Sequence, residues 1–491
     1  MRKSNAFRST MAAAGVLEES WDEKLVKDYL QKAAKVTPPP RVDHKQFIEA
    51  SNKFPVKFPT QTARVQTHVK NGKDVKKLTE HINTARPVLH HRCLPLFASF
   101  LHHKRTYGTS TEKAVYDGVD IVGLVDRLLH KRPITFFGRL DQYLLRDTTQ
   151  SKGGFEKIGT DQETPPLCLA DYLSYDEIKL SALLSVSSPS FFINDGNRKN
   201  KGVPGAPGSY QEEGVVVGMV GARLKKAGFM EWQDCVVSRD QNTREGGYGG
   251  VGEPPHLQHL WSHMWRTTLP VWDKVSTRSE EFFKFGRENY VNVPVYKARI
   301  QLTAETLLAE AKSRAMSAGL KAYIHVVGLG LGVWRACHEQ DAMFVDAWGA
   351  ALQACDTSQV AHVDFSWIGA DQCQGVGDGE VFPDTGVVIH FSKRSLHDHV
   401  PKGTLLVVSY AWDGNAFPGN EYWIGKLAST GDGAAACSTG VAELHNSHIN
   451  ANVCGTNLHV AGPWGVMHVG EYASRALSKL PSHKKLKITT E

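Results

Sequence analysis

The sequence predicts an α/β fold, a mixed sheet flanked by helices, with a helical N-terminal accessory region ahead of it. Two observations carry that expectation. From about residue 151 onward, short apolar runs that read as buried strands alternate with longer runs of helical period, the pattern of a sheet covered on its faces. Before that point the apolar residues recur mostly at three and four positions.

Taken in order, residues 1–40 are polar and end in Pro38, Pro39 and Pro40, which stop any helix begun in 20–35, so a flexible tail is expected. Residues 41–150 form the helical region, on the strength of the runs 88–103 and 116–131. Residues 151–491 form the sheet-bearing domain. Within it 175–186 reads as helix, 190–195 as a buried strand and 211–228 as helix again. The run 234–238 reads as a short strand. A strongly periodic helix over 303–319 leads into the strand 322–330, and a further helix covers 339–355. Strands follow at 360–368, 386–393 and 404–412.

Composition narrows the function classes. The 491 residues carry 57 Lys and Arg against 51 Asp and Glu, a net charge of +6 that is dispersed apart from a basic run at 484–487. A nucleic-acid binder needs a denser basic stripe, so no nucleic-acid partner is expected. No run approaches the roughly 18 apolar residues of a membrane span, and the N-terminus lacks an apolar signal core. A cytoplasmic protein with no membrane partner is the expectation, the nucleus remaining open. The eight cysteines are widely separated, at 93, 168, 235, 337, 355, 373, 437 and 454, and read as reduced structural thiols. His256, His259 and His263 share one helical face but have no acidic or Cys partner at ligand spacing. Packing is the reading there, and neither metal nor cofactor is expected.

Three segments carry chemistry. The first runs from Asn194 and Asp195 through Gly202, Gly205 and Gly208 to Gln211, Glu212 and Glu213, where glycines permit close approach and the start of the expected helix favours an anion. The second is strand, glycine turn, helix: Gly328, Leu329, Gly330, Leu331, Gly332, Val333 and Trp334, whose amides can face a pyrophosphate. No Lys-Ser/Thr follows the last glycine, so it is not a Walker loop. In the third, residues 412–423, the polar Asp413, Asn415, Asn420 and Glu421 alternate with aromatic residues, among them Phe417. Such a loop can stack on adenine and bond ribose hydroxyls.

The first two segments together resemble the macrodomain superfamily, in its poly(ADP-ribose) glycohydrolase-like branch. With the stretches 362–380, 405–425 and 429–446 the similarity extends to the MavL-like effectors and their eukaryotic relatives, over roughly 170–450. The resemblance implies ADP-ribose as ligand and an ADP-ribosylated protein as partner. It also implies hydrolytic removal of the ADP-ribose, with arginine and ubiquitin as the linkage and modified protein found in that branch. The glycohydrolase pattern would make Glu212 catalytic, with Glu213 binding ligand. Here Gly202-Val203-Pro204-Gly205 replaces three consecutive glycines. The MavL-like pattern instead points to aspartates after the phosphate loop: Asp364, Asp371 and Asp378, with Asp384 a weaker fourth. Carboxylates suit the chemistry, since ribosyl cleavage passes through an oxocarbenium-like state that one stabilises while another moves a proton. Two alternatives stay open, a non-catalytic ADP-ribose reader and a nucleotide-binding scaffold.

Overall fold

The computed structural model describes residues 21–479, apart from residues 139, 251–254, 278–279 and 413–415. Nine strands join in one sheet: β1 (Arg86–His90), β2 (Leu184–Phe191), β3 (Glu213–Met219), β4 (Lys321–Val326), β5 (Val360–Ser366), β6 (Val388–Ser392), β7 (Thr404–Ala411), β8 (His459–Gly462) and β9 (Gly465–His468). Their spatial order is β6-β5-β4-β7-β3-β2-β1-β8-β9. The block β6, β5, β4, β7 and β3 is parallel. Strand β2 then runs antiparallel between β3 and β1, β8 lies parallel to β1, and β9 closes the edge antiparallel.

The helices that matter below are α1 (Glu23–Ala33), α2 (Cys93–Tyr107), α3 (Ile121–His130), α4 (Val293–Ala318), α5 (Gln340–Ala354), α6 (Gly431–Ser438) and α7 (Val469–Ser478). Helix α4 starts where Asn292 accepts the Val295 amide, with Pro294 in its first turn, and stops at Gly319 with φ 66°. Helix α5 covers one face of the sheet, its Trp348 meeting Phe365 edge-on at 5.7 Å. The opposite face carries Tyr323, His325, Asp364 and Tyr410, because side chains alternate along a strand. There the Arg394 guanidinium lies 4.6 Å over the Tyr323 ring.

The alternation of strands and helices is present, with three differences. Residues 213–219, read as helix, form the central strand β3; Val215, Val216 and Val217 are β-branched and buried on both faces, which suits an inner strand. The N-terminal region, expected to be a mostly helical accessory layer, also sends β1 into the sheet between β2 and β8. Residues 21–40 are not loose: Trp21, Val26, Tyr29 and Leu30 are buried, and α1 packs on α7. A Cβ added at Gly470 would lie 2.4 Å from the Val36 carbonyl oxygen, so glycine allows that approach. Residues 1–20 and the basic run at 484–487 lie outside the described residues.

Candidate active site

The carboxyl ends of the parallel strands form one edge, and the second glycine segment lies on it. Between β4 and α5 the chain makes two tight turns, Leu331 N–H to Gly328 O at 3.0 Å and Arg335 N–H to Gly332 O at 3.2 Å. Leu329 and Leu331 are buried and anchor the loop, while Val333 is 71% exposed. Gly330 has φ 80°, and a Cβ there would meet the Ala222 carbonyl oxygen at 2.7 Å. Reciprocally, a Cβ at Gly221 would meet the Gly330 nitrogen at 2.2 Å. The loops after β3 and β4 therefore touch backbone to backbone. The Leu224 amide reinforces that contact by donating to the Trp334 carbonyl at 3.1 Å. Gly332 faces open space. Among the described residues the amides of Gly332, Val333 and Trp334 donate no hydrogen bond, which leaves a cluster of donors at a strand end, the arrangement of an anion site.

The loop after β3 is held from below. Arg223 bonds Glu231 through Nε at 2.8 Å, both groups being buried, and Arg299 donates to the Val220 carbonyl at 2.9 Å. Burial alone would raise the Glu231 carboxyl, but the two guanidiniums hold it below its ordinary value.

The candidate aspartates divide by environment. Asp364 on β5 is fully buried; its Oδ1 accepts from Ser392 Oγ at 2.7 Å and its Oδ2 from the Tyr323 hydroxyl at 2.8 Å, with Arg394 Nε at 4.0 Å. Burial first, and then the Asp364 charge, push the Tyr323 hydroxyl up to about 12, so it stays protonated as a donor. His325, on the same face, is pulled down to about 3 by burial and then by Arg394 and His397, and is neutral. Asp371 lies exposed in the loop after β5, with no hydrogen bond among the described residues. That loop abuts the glycine segment: a Cβ at Gly369 would meet Asp341 Oδ2 at 2.5 Å, and Asp341, on the first turn of α5, pairs with Arg335 at 2.9 Å. Asp378 is exposed beside the end of β6, its Oδ1 accepting the Phe391 amide at 2.9 Å. Asp384 is an exposed turn residue with φ 58°.

The first glycine segment lies elsewhere. Because β2 runs antiparallel to β3, its carboxyl end falls beside the amino ends of β4 and β7, across the sheet from Gly330. The expectation of two glycine loops on one edge is corrected by that strand direction. No helix begins at Gln211 either; its amide donates to the His397 carbonyl at 2.7 Å as the chain enters β3. Asn194 is buried, holding the Gly196 amide and the Val203 carbonyl, and Asp195 accepts from Asn197, Asn200 and Ser395. Gly202 is tied to Thr62 at 2.6 Å, and the Gly208 carbonyl accepts from His399 at 3.1 Å. Glu212 pairs with Lys73 at 2.7 Å, and Glu213 with Lys77 at 2.6 Å and His81 at 3.1 Å. The carboxylates and the buried amide of this loop are thus engaged in holding the segment in place.

The aromatic loop is packed rather than open. Phe417 is buried against Phe54 and His448, Asn420 bonds the Phe136 amide and the Thr135 hydroxyl, and Glu421 accepts from Thr430 at 2.9 Å. Asp413 and Asn415 lie outside the described residues. His263 meets the Trp21 ring edge-on, and among the described residues no His, Cys, Asp and Glu cluster is arranged to hold a metal. A groove of about 1430 Å³ lies on the other half of the sheet, along α4, and the Arg92–Glu305 and Lys312–Asp356 pairs line it.

Sequence reasoning did not single out Tyr323, Ser392 and Arg394 around Asp364, or Arg335 and Asp341 beside the glycine segment. Only Arg335 and Asp341 leave a local sign, since both follow the glycine turn closely.

The chain is similar to known proteins over most of its length. The family model described as ADP-ribosylhydrolase MavL-like matches residues 45–475. In Drosophila melanogaster, ADP-ribosylarginine hydrolase CG2909 is 41% identical over 452 residues, covering 88% of this chain and 89% of its own. ADP-ribosylarginine hydrolase CG3568 from the same organism is 39% identical over 479 residues, covering 94% and 93%. With that match running through the sheet, the glycine segment and the aspartates alike, the chain belongs to the MavL-like ADP-ribosylhydrolase family.

Proposed function

We propose that this hydrolase removes ADP-ribose from arginine side chains of modified proteins, using a macrodomain-type site at the carboxyl edge of β3, β4, β5 and β7. One observation carries the placement. The unengaged amides of Gly332 to Trp334 stand next to a loop, 367–371, that ends in the exposed carboxylate of Asp371. A diphosphate on the amides would send its distal ribose along this edge, toward the side on which the 367–371 loop lies. The two fruit-fly relatives are named for arginine-linked ADP-ribose, which supports the linkage.

In this reading Asp371 stabilises the oxocarbenium-like centre as the ribosyl C1–N bond breaks, water adds to C1 and the proton it gives up passes to the departing guanidine, and Asp378 assists at the rim. Asp364 is a positioning residue that fixes Tyr323, Ser392 and Arg394 under the site. Glu212, paired with Lys73 across the sheet, has no part in it. The test is release of ADP-ribose over time from arginine-modified protein, ubiquitin first, with serine- and glutamate-linked substrates as controls. Asp371→Ala should lower turnover at least about a hundredfold with binding nearly unchanged. Binding without release from any linkage would replace the enzyme with a reader.

A further inference from the structure

We infer that Arg132 is an anion-binding residue of this edge, presenting a buried guanidinium to the diphosphate of the bound ligand. The inference rests on the site proposed above and extends it to a residue on a different part of the chain. Arg132 follows α3 and is 1% exposed, yet its Nε and Nη2 have no hydrogen-bond partner among the described residues. The other deeply buried arginines differ: Arg64 pairs with Glu443, Arg127 with Glu177, Arg223 with Glu231 and Arg314 with Glu310, and Arg299, although its Nε is also unpartnered, has Glu231 at 3.7 Å. Arg132 has no carboxylate within 4 Å among the described residues and instead lies with its guanidinium 4.0 Å over the Trp412 ring.

Position makes that isolation meaningful. Trp412 follows β7 directly, and its amide donates to the Met219 carbonyl at the end of β3 at 2.9 Å. Two residues on, Gly221 lies against Gly330. Beyond Arg132, Thr135 and the Phe136 amide are tied to Asn420. The guanidinium is therefore fixed at the same carboxyl edge as the glycine segment. Burial pulls its pKa down to about 9, with Arg223 acting in the same direction against Tyr410. An uncompensated buried cation is costly to a fold, and an anionic ligand that pairs with it recovers that cost on binding. A planar guanidinium stacked on an indole is also pre-organised for bidentate phosphate contact.

The test measures ligand-free thermal stability, and binding of inorganic pyrophosphate, ADP-ribose and adenosine, in the full chain and in Arg132→Met and Arg132→Lys. Methionine keeps apolar contact with the indole and removes the charge. The expected result is a ligand-free Tm for Arg132→Met equal to or above that of the unsubstituted protein. Its pyrophosphate-induced Tm shift should be lost, ADP-ribose Kd should weaken at least about tenfold, and adenosine Kd should not move. Arg132→Lys should fall between for the two phosphate ligands. A lower ligand-free Tm with unchanged affinity for both phosphate ligands would overturn the inference. If Arg132→Met does not fold, an unchanged ADP-ribose Kd in Arg132→Lys overturns it. Arg132-dependent pyrophosphate binding in a protein that releases no ADP-ribose would instead count against the proposed function alone.

Discussion

Gly330 and Gly332 stand two residues apart in one loop, yet a side chain at each should fail in opposite ways. Gly330 has φ 80°, and a Cβ there would sit 2.7 Å from the Ala222 carbonyl oxygen and 2.9 Å from its nitrogen. Left-handed backbone costs an L-residue about 1–2 kcal/mol. Forcing a methyl against fixed backbone adds about 1–3 kcal/mol. Gly330→Ala should therefore lose ~2–5 kcal/mol of stability in urea unfolding. A Cβ at Gly332 meets nothing within 4 Å, so Gly332→Glu should stay within about 0.5 kcal/mol of the unsubstituted protein. Its carboxylate would instead oppose a diphosphate on the neighbouring amides. At ~5 Å and an effective dielectric of ~20 that repulsion is about 3 kcal/mol per unit charge, a loss of affinity of at least about a hundredfold. Calorimetric titration with ADP-ribose reads that loss directly. A stable Gly332→Glu protein with undiminished affinity would refute the anion assignment, and a Gly330→Ala protein of full stability would refute the backbone contact.

Asp364→Ala should destabilise by about 3–5 kcal/mol, since it removes the buried carboxylate that accepts from the Tyr323 and Ser392 hydroxyls and faces Arg394, whereas Asp364→Asn should cost less; urea midpoints separate the two. Glu213 is lowered to about 2, chiefly by its hydrogen bond with His81 and then by Lys77. A depressed carboxyl contributes stability above its unfolded value of 4.5 and loses it as pH falls toward 2, so Glu213→Gln should be less stable at neutral pH, with the gap closing across that window. Thermal unfolding of both proteins between pH 2 and 7 measures the gap, and a constant difference would count against the pairing.

Local signals carried much of the architecture. Helix α4 was legible in its second half, where apolar period and the Gly319 stop agree, but its opening was placed at residue 303 whereas Asn292 caps it before Val293; β4, the glycine turn and α5 read together as one unit. The run 211–228 misled because Gln211, Glu212 and Glu213 and the cluster around Lys225 suggest helix. The three valines between them obey a preference that only burial on both faces makes decisive. Strand direction has no local signature at all. Whether β2 ran with or against β3 decided that Asn194 and Gly330 would lie at opposite ends, and that choice is set by pairing across the sheet. Arg132 was invisible for the same reason, since what distinguishes it from Arg127 is the company it keeps after folding.

The seam between α1 and α7 has a consequence for how the molecule comes into being. Among the described elements α1 is made long before α7, so the side of α1 that packs on α7 waits through most of synthesis for its cover. β1 waits likewise for β8. A nascent chain halted in between carries an amphipathic helix whose apolar side is incompletely covered and an unpaired strand edge, the features that recruit chaperones and seed aggregates. Completion of α7 thus works as a clasp between two stretches far apart in the chain.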